Sequence, residues 1–209
     1  MRRINAALVN SRLGKPLYYF GEVGSTNDIL RDKAAAGAPE GSVVIAGSQT
    51  AGRGRRGNKW LSIPGKGVYL SMLLRPRWPS NESPYIGFFA ALAAARALER
   101  LNLGNVKLKW PNDILVNGRK IGGVLIEPRL SRGVIEFVVL GVGINVLYTD
   151  EDLRVLKPNA ATSCLLEGAN VTCDEVIINL LSEFDICYYM LQGGDRKSII
   201  EEWSQRSMK

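Results

Sequence analysis

Lys107-Leu108-Lys109-Trp110-Pro111-Asn112-Asp113-Ile114-Leu115-Val116-Asn117-Gly118-Arg119-Lys120-Ile121-Gly122-Gly123-Val124-Leu125-Ile126-Glu127 sets two apolar runs on either side of Asn117-Gly118. Asn-Gly between apolar runs is the strongest short signal for a β-hairpin. The hairpin it predicts brings the regions of Asp113 and Lys120 together, although they lie seven residues apart. Outward from it, Val106 to Trp110 reads as a short strand stopped by Pro111. Val134 to Val146 reads as a longer strand, punctuated by Gly141 and Gly143. A glycine inside a strand often marks close approach of a ligand or another backbone.

Further strands are expected at Leu17–Phe20, Ser42–Gly47 and Gly67–Leu74, from their β-branched and aromatic runs. A short helix is expected over Ile4–Leu13, and long helices over 26–37, 84–101 and 174–191. The helix starts are marked by Ser25 or Thr26, by Ser83 with Pro84, and by a Thr172–Glu175 capping box. Gly193-Gly194 ends the third long helix, and Asp195 opens a last one toward Trp203. Adjacent hairpins without regular strand–helix alternation predict an α+β fold: a mixed, mainly antiparallel sheet with helices packed on one face.

The chain has 209 residues and an apolar fraction of 46%, enough for a packed core in one domain. No apolar run reaches the length of a membrane span, and the N-terminus lacks a signal-peptide core. Cys164, Cys173 and Cys187 show no C-x-x-C spacing, and His is absent, which argues against a transition-metal site. Free thiols are expected, as in a cytoplasmic protein. The absence of His also removes Ser-His and Cys-His nucleophilic catalysis.

The charge of +7 is confined. Gly41 to Asn81 contains no acid, yet it holds Arg53, Arg55, Arg56, Lys59, Lys66, Arg75 and Arg77. Its centre is Gly52-Arg53-Gly54-Arg55-Arg56-Gly57-Asn58-Lys59-Trp60, a make-up suited to binding an anion. The literal G-x-G-x-x-G match at Gly52, Gly54 and Gly57 is not a dinucleotide fingerprint. A strand follows in place of a helix, and no acid appears before Glu82. Across the hairpin, Asp113 could hold Mg²⁺ and Lys120 could face an oxyanion, the parts nucleotidyl transfer needs. On spacing alone, a surface ion pair beside the turn is the better explanation of Asp113 and Lys120, and helix capping that of Ser25-Thr26-Asn27.

Gly52–Trp60, Lys109–Glu127 and Gly141-Val142-Gly143-Ile144-Asn145 together resemble, in order, the signature segments of biotin–protein ligases; Ser25-Thr26-Asn27 and Gln49 fit the same pattern. The resemblance extends over roughly residues 17–205. It implies the catalytic-domain fold shared by biotin and lipoate ligases, similar to class II synthetases. It also implies a biotin–[acetyl-CoA-carboxylase] ligase: biotin and ATP give biotinyl-5′-adenylate, and biotin then passes to a lysine of a biotin carboxyl carrier protein. Under it, Ser25, Thr26, Asn27, Gln49, Gly52, Gly54, Gly122 and Gly123 belong to the biotin pocket. Arg53, Arg55 and Lys120 serve both biotin and the adenylate phosphate, Trp60 and Asn145 contact the nucleoside, and Asp113 serves the Mg-ATP and acyl-transfer end. Lys120, Arg53 and Asp113 are the implied catalytic groups, and the glycine loop is expected to be mobile until ligand binds.

The expected organisation is a single catalytic domain over residues 1–209, with no N-terminal helix-turn-helix and no SH3-like C-terminal domain. The expected partner is the biotinyl domain of a carboxylase, with no membrane, and exposed strand edges permit a homodimer. Lipoate–protein ligase is the alternative that shares the chemistry. A nucleic-acid binder would need aromatic stacking clusters or a recognition helix, which the sequence does not show.

Overall fold

The computed structural model describes residues 2–9, 11–156 and 160–208. Seven strands form one sheet: β1 (Leu17–Val23), β2 (Val43–Gln49), β3 (Gly67–Leu74), β4 (Val106–Lys109), β5 (Asp113–Val116), β6 (Arg119–Ser131) and β7 (Val134–Asn145). Their spatial order is β1-β2-β3-β7-β6-β5-β4. β1 pairs parallel to β2, because helix α2 (Thr26–Ala35) crosses between them, as parallel neighbours require. The remaining ladders are antiparallel, so the sheet is mixed and mainly antiparallel as expected.

Helices α1 (Arg2–Ala7), α3 (Ser83–Arg100), α5 (Cys173–Gln192) and α6 (Arg196–Arg206) lie on one face; α4 (Asp150–Leu153) is a single turn. The small side chains Ala90, Ala93, Ala94 and Ala97 let α3 pack closely, and all four are fully buried. The Thr172–Glu175 capping box opens α5. Glu82, one residue before the expected Ser83, is the N-cap of α3. Of the helix expected over Ile4–Leu13, the part up to Ala7 is helical, and Asn10 lies outside the described residues. The alternation of β7 splits its side chains: Val138, Leu140, Val142 and Ile144 join the helix layer, while Phe137 and Val139 meet Leu30 and Ala34 on the other face. Helix α2 is therefore an addition on the opposite side of the sheet, and it begins there at the site.

The hairpin turn is as expected, with both Asn117 (φ 49°) and Gly118 (φ 78°) in the left-handed region. Beyond it the register slips: Leu115 pairs with Lys120, but Ile114 pairs with Gly122, so Ile121 is an inserted residue. This is a β-bulge. Ile121 and Gly122 both turn to the helix layer; Ile121 is fully buried, and a side chain at Gly122 would run into Ile144 Cδ1. Lys120 on one side of the bulge and Gly123, Leu125 and Glu127 on the other consequently share the opposite face.

Candidate active site

A cavity of about 420 Å³ opens on that face, between β3, β6, β7, the start of α2 and the Gly52–Trp60 loop. Its floor depends on two glycines of β7. A Cβ at Gly141 would lie 2.5 Å from Asn27 Oδ1, and one at Gly143 would lie 2.5 Å from Trp60 Cε2. The strand gives up two side chains so that an amide and an indole can rest on the sheet. The close approach signalled by these glycines is made by the protein's own side chains.

Ser25, Thr26, Asn27 and Gln49 all line one end. Ser25 occupies the N-cap position of α2 with extended backbone, but its side chain makes no capping hydrogen bond. Capping therefore does not account for its hydroxyl, which is left for the cavity. Thr26 N–H donates to Gln49 Oε1 at 2.9 Å, Thr26 Oγ1 stands 3.1 Å from the same atom, and Gln49 Nε2 reaches Ser62 Oγ at 3.3 Å. Buried Ser71 of β3 touches both Thr26 Oγ1, at 2.7 Å, and Asn27 Oδ1. Asn27 Oδ1 can only accept, so the single Ser71 proton goes there, and the Thr26 hydroxyl chooses between Ser71 and Gln49. The network thus fixes Asn27 with its amide nitrogen toward Glu127, at 2.7 Å from Oε2. Sequence reading missed Ser71. Its one signal was a small polar residue inside the buried run Val68–Leu74.

The other end is cationic. Lys120 Nζ sits 2.6 Å from Asp113 Oδ1 and 5.5 Å from the Trp60 ring centroid. Trp60 Nε1 is buried with no hydrogen-bond partner among the described residues, packed over Gly143 of β7. Arg55, Arg56 and Lys59 line the cavity, and Gly54 N–H to Asn58 O (2.7 Å) and Trp60 N–H to Gly52 O (2.9 Å) close their loop on itself. Gly57 (φ 76°) and Arg56 (φ 56°) supply the turn.

Arg53 behaves differently from the free phosphate ligand expected of it. Its fork meets Asp28 at 2.7 Å through both terminal nitrogens, and its Nε reaches Glu127 Oε1 at 3.1 Å. The hydrogen bonds that Arg53 donates to Asp28 raise the guanidinium pKa above its ordinary value, and the same bonds hold Asp28 below the usual carboxylate range. Burial works against the charge on Glu127, but bonds from Arg53 and Asn27 outweigh it, and its pKa also falls. The loop expected to be mobile is thus pinned at its root, while Arg55 and Arg56 make no ion pair among the described residues.

Three expected pocket residues do not line this cavity. Gly122 faces the helix layer because of the bulge, and Gly123 takes its place. Gly52 is packed within its own loop, where a Cβ would lie 2.9 Å from Ser62 Oγ. Asn145 is buried and donates to Thr162 O at 2.9 Å, anchoring that segment. No group of three or more His, Cys, Asp or Glu suited to a metal occurs among the described residues. Asp113 offers one carboxylate, already shared with Lys120, so Mg²⁺ fits here only as part of a nucleotide substrate that brings its own phosphate ligands. A second cleft of about 530 Å³ adjoins the first across the loop, floored by Phe88 and Ile126 and flanked by the 68% exposed Trp110.

Known proteins share this fold. Residues 20–145 match the model of the biotin/lipoate A/B protein ligase family. The biotin–[acetyl-CoA-carboxylase] ligase of Mycobacterium tuberculosis is 33% identical, over 88% of this chain and 68% of that protein. The bifunctional ligase/repressor BirA of Bacillus subtilis is 36% identical over 91% of this chain; the chain spans 59% of that relative's length. A biotin protein ligase from Aquifex aeolicus, solved in complex with biotin and ATP, superposes with a TM-score of 0.76 at 29% identity, covering 93% of this chain and 79% of that one. No described helix is long and apolar enough to cross a membrane. With the family model matched from β1 to the end of β7, and these relatives matched over most of the chain, the protein belongs to the biotin/lipoate A/B protein ligase family.

Proposed function

We propose that the protein activates biotin with Mg-ATP as biotinyl-5′-adenylate and transfers it to a lysine of a biotin carboxyl carrier protein. One observation carries this reading: Lys120, held between Asp113 and Trp60, faces the arginine–glycine loop across a cavity whose far end is lined by Ser25, Thr26, Asn27 and Gln49. The polar end suits a neutral, hydrogen-bonding head group. The cationic end suits two anions that must approach each other.

In the first step a biotin carboxylate oxygen attacks the α-phosphorus, and pyrophosphate leaves. Lys120, with Arg55 and Lys59 nearby, offsets the carboxylate–phosphate repulsion and the charge that builds on the phosphoryl oxygens. In the second step the acceptor lysine, as the free amine, attacks the acyl carbon and AMP leaves. The second oxygen of Asp113 has no partner among the described residues and can take the amine's proton. No enzyme nucleophile is needed, which agrees with a chain that lacks His. Trp60 lines the cavity and offers a surface to the nucleoside. The basic loop favours an acidic face on the acceptor.

Exchange of labelled pyrophosphate into ATP, run separately with biotin and with lipoate, tests the first step; streptavidin detection on an acceptor biotinyl domain tests the second. Biotin-dependent exchange and labelling are expected. Exchange driven by lipoate alone would overturn the substrate assignment.

A further inference from the structure

We infer that Asp28 and Glu127 are positioning residues that clamp Arg53, and so hold the Gly52–Trp60 loop shut against the cavity. This rests on the proposed function for its kinetic meaning, but the clamp itself can be read without it. Asp28 stands on the first turn of α2 and Glu127 beyond the bulge of β6, so the loop root is tied to two separate elements. Four N–H···O contacts join Arg53 to them, at 2.7, 2.7, 3.1 and 3.1 Å. With Nε and Nη2 committed and Nη1 sharing in the fork, Arg53 has no paired donors left for a phosphate. Arg31 Nη2, at 2.8 Å from Asp28 and 3.1 Å from Glu127, completes a neutral set of two acids and two arginines.

Glu127 has a second task. The Oε2 that receives Arg53 also receives the amide of Asn27, whose other end is bonded to Ser71. The carboxylate therefore couples the position of a cavity-lining amide to closure of the loop. A ligand that bonds Asn27 would meet a cavity whose wall is already in place.

The test is limited trypsin digestion of the full chain without ligand. Cleavage after Arg55 and Arg56 is compared with cleavage after the exposed Arg132 as internal standard. When opening is fast, cleavage follows the open population. Asp28→Asn and Glu127→Gln are each expected to speed loop cleavage by about three- to tenfold relative to Arg132, with Asp28→Glu restoring part of the protection. Arg31→Gln, which leaves the loop contacts in place, is expected to stay within about twofold. In the exchange assay, the two amide variants should raise the KM for biotin by about the same factor as cleavage and change kcat less. Unchanged cleavage in both variants would overturn the clamp, as would equal loosening by Arg31→Gln. Faster cleavage with an unmoved KM would overturn the positioning role. If the unmodified protein shows no biotin-dependent exchange, the proposed function fails while the cleavage ratios still report on the clamp.

Discussion

Gly143→Ala adds one methyl group at the point where the sheet meets Trp60. The new Cβ would sit 2.5 Å from Trp60 Cε2 and 2.7 Å from Cζ2 and Nε1. Carbon atoms in contact stand about 3.5 Å apart, so the indole must withdraw by about 1 Å. Trp60 cannot swing freely, because its backbone is tied by its main-chain N–H to Gly52 O at 2.9 Å and Lys120 Nζ lies 5.5 Å from its ring centroid. Overpacking of this kind costs about 1–3 kcal/mol. Under the proposed function, in which Trp60 contacts the substrate, a displacement of that size is expected to cost about 10²-fold in rate. The sign is the sharper test. Gly143 does not adopt a positive φ, and Gly→Ala at a compatible position stabilises by about 0.4–1 kcal/mol. In the Trp60→Ala background the methyl group should therefore stabilise, whereas in the parent it should destabilise. Thermal melts and biotin-dependent pyrophosphate exchange on the four proteins of this cycle measure both terms. Additive effects of the two substitutions, or a Gly143→Ala protein that melts and turns over like the parent, would refute the packing argument.

Lys120→Ala should lower adenylate formation by about 10²–10³-fold with the fold intact, read by exchange rate and circular dichroism. Ser71→Ala should leave Asn27 Oδ1 buried without a donor, costing about 2 kcal/mol and lowering Tm by about 4–8 °C in a melt. Asp28 and Glu127 have folded pKa values below their ordinary 3.8 and 4.5, so their contribution is complete above those values. It is lost as pH falls through the lowered ones. Acidification from pH 5 should accordingly destabilise the parent more than the Asp28→Asn/Glu127→Gln protein, as measured by denaturant midpoints. Burial pushes the Cys164 thiol up to about 12 and Cys187 to about 11, so neither should react with a thiol reagent at neutral pH until the protein unfolds.

What could be read in the sequence was local. The Asn117-Gly118 turn announces itself because both positions demand positive φ, and the Thr172–Glu175 box because its two partners lie three residues apart. Lys120 and Asp113 were legible in part for the same reason: the turn sets their strands side by side, although the bulge shifts the register between them. The clamp was not legible. Arg53 finds its acids 25 and 74 residues away, on elements whose pairing no local pattern states. A run of arginines in a glycine loop reads as ligand chemistry until those acids are placed. Nor does any residue type in β6 reveal the bulge, since Ile121-Gly122-Gly123 is compatible with either glycine facing the site. The side chosen by α2 follows from the crossover between β1 and β2, a property of the sheet as a whole.

That one inserted residue has a consequence beyond the hairpin. β6 is written in two phases: before Ile121 an even position, Lys120, lies on the cavity face, and after Gly122 the odd positions do. Loss of a single residue there would leave composition and strand propensity almost untouched. It would nonetheless exchange the Gly123, Leu125, Glu127 set with Val124 and Ile126, driving a carboxylate into the helix layer and leaving Arg53 with half its anchor. Position 121 should therefore accept Val or Leu readily and a deletion not at all. The strand is protected less by what residue stands there than by how many do.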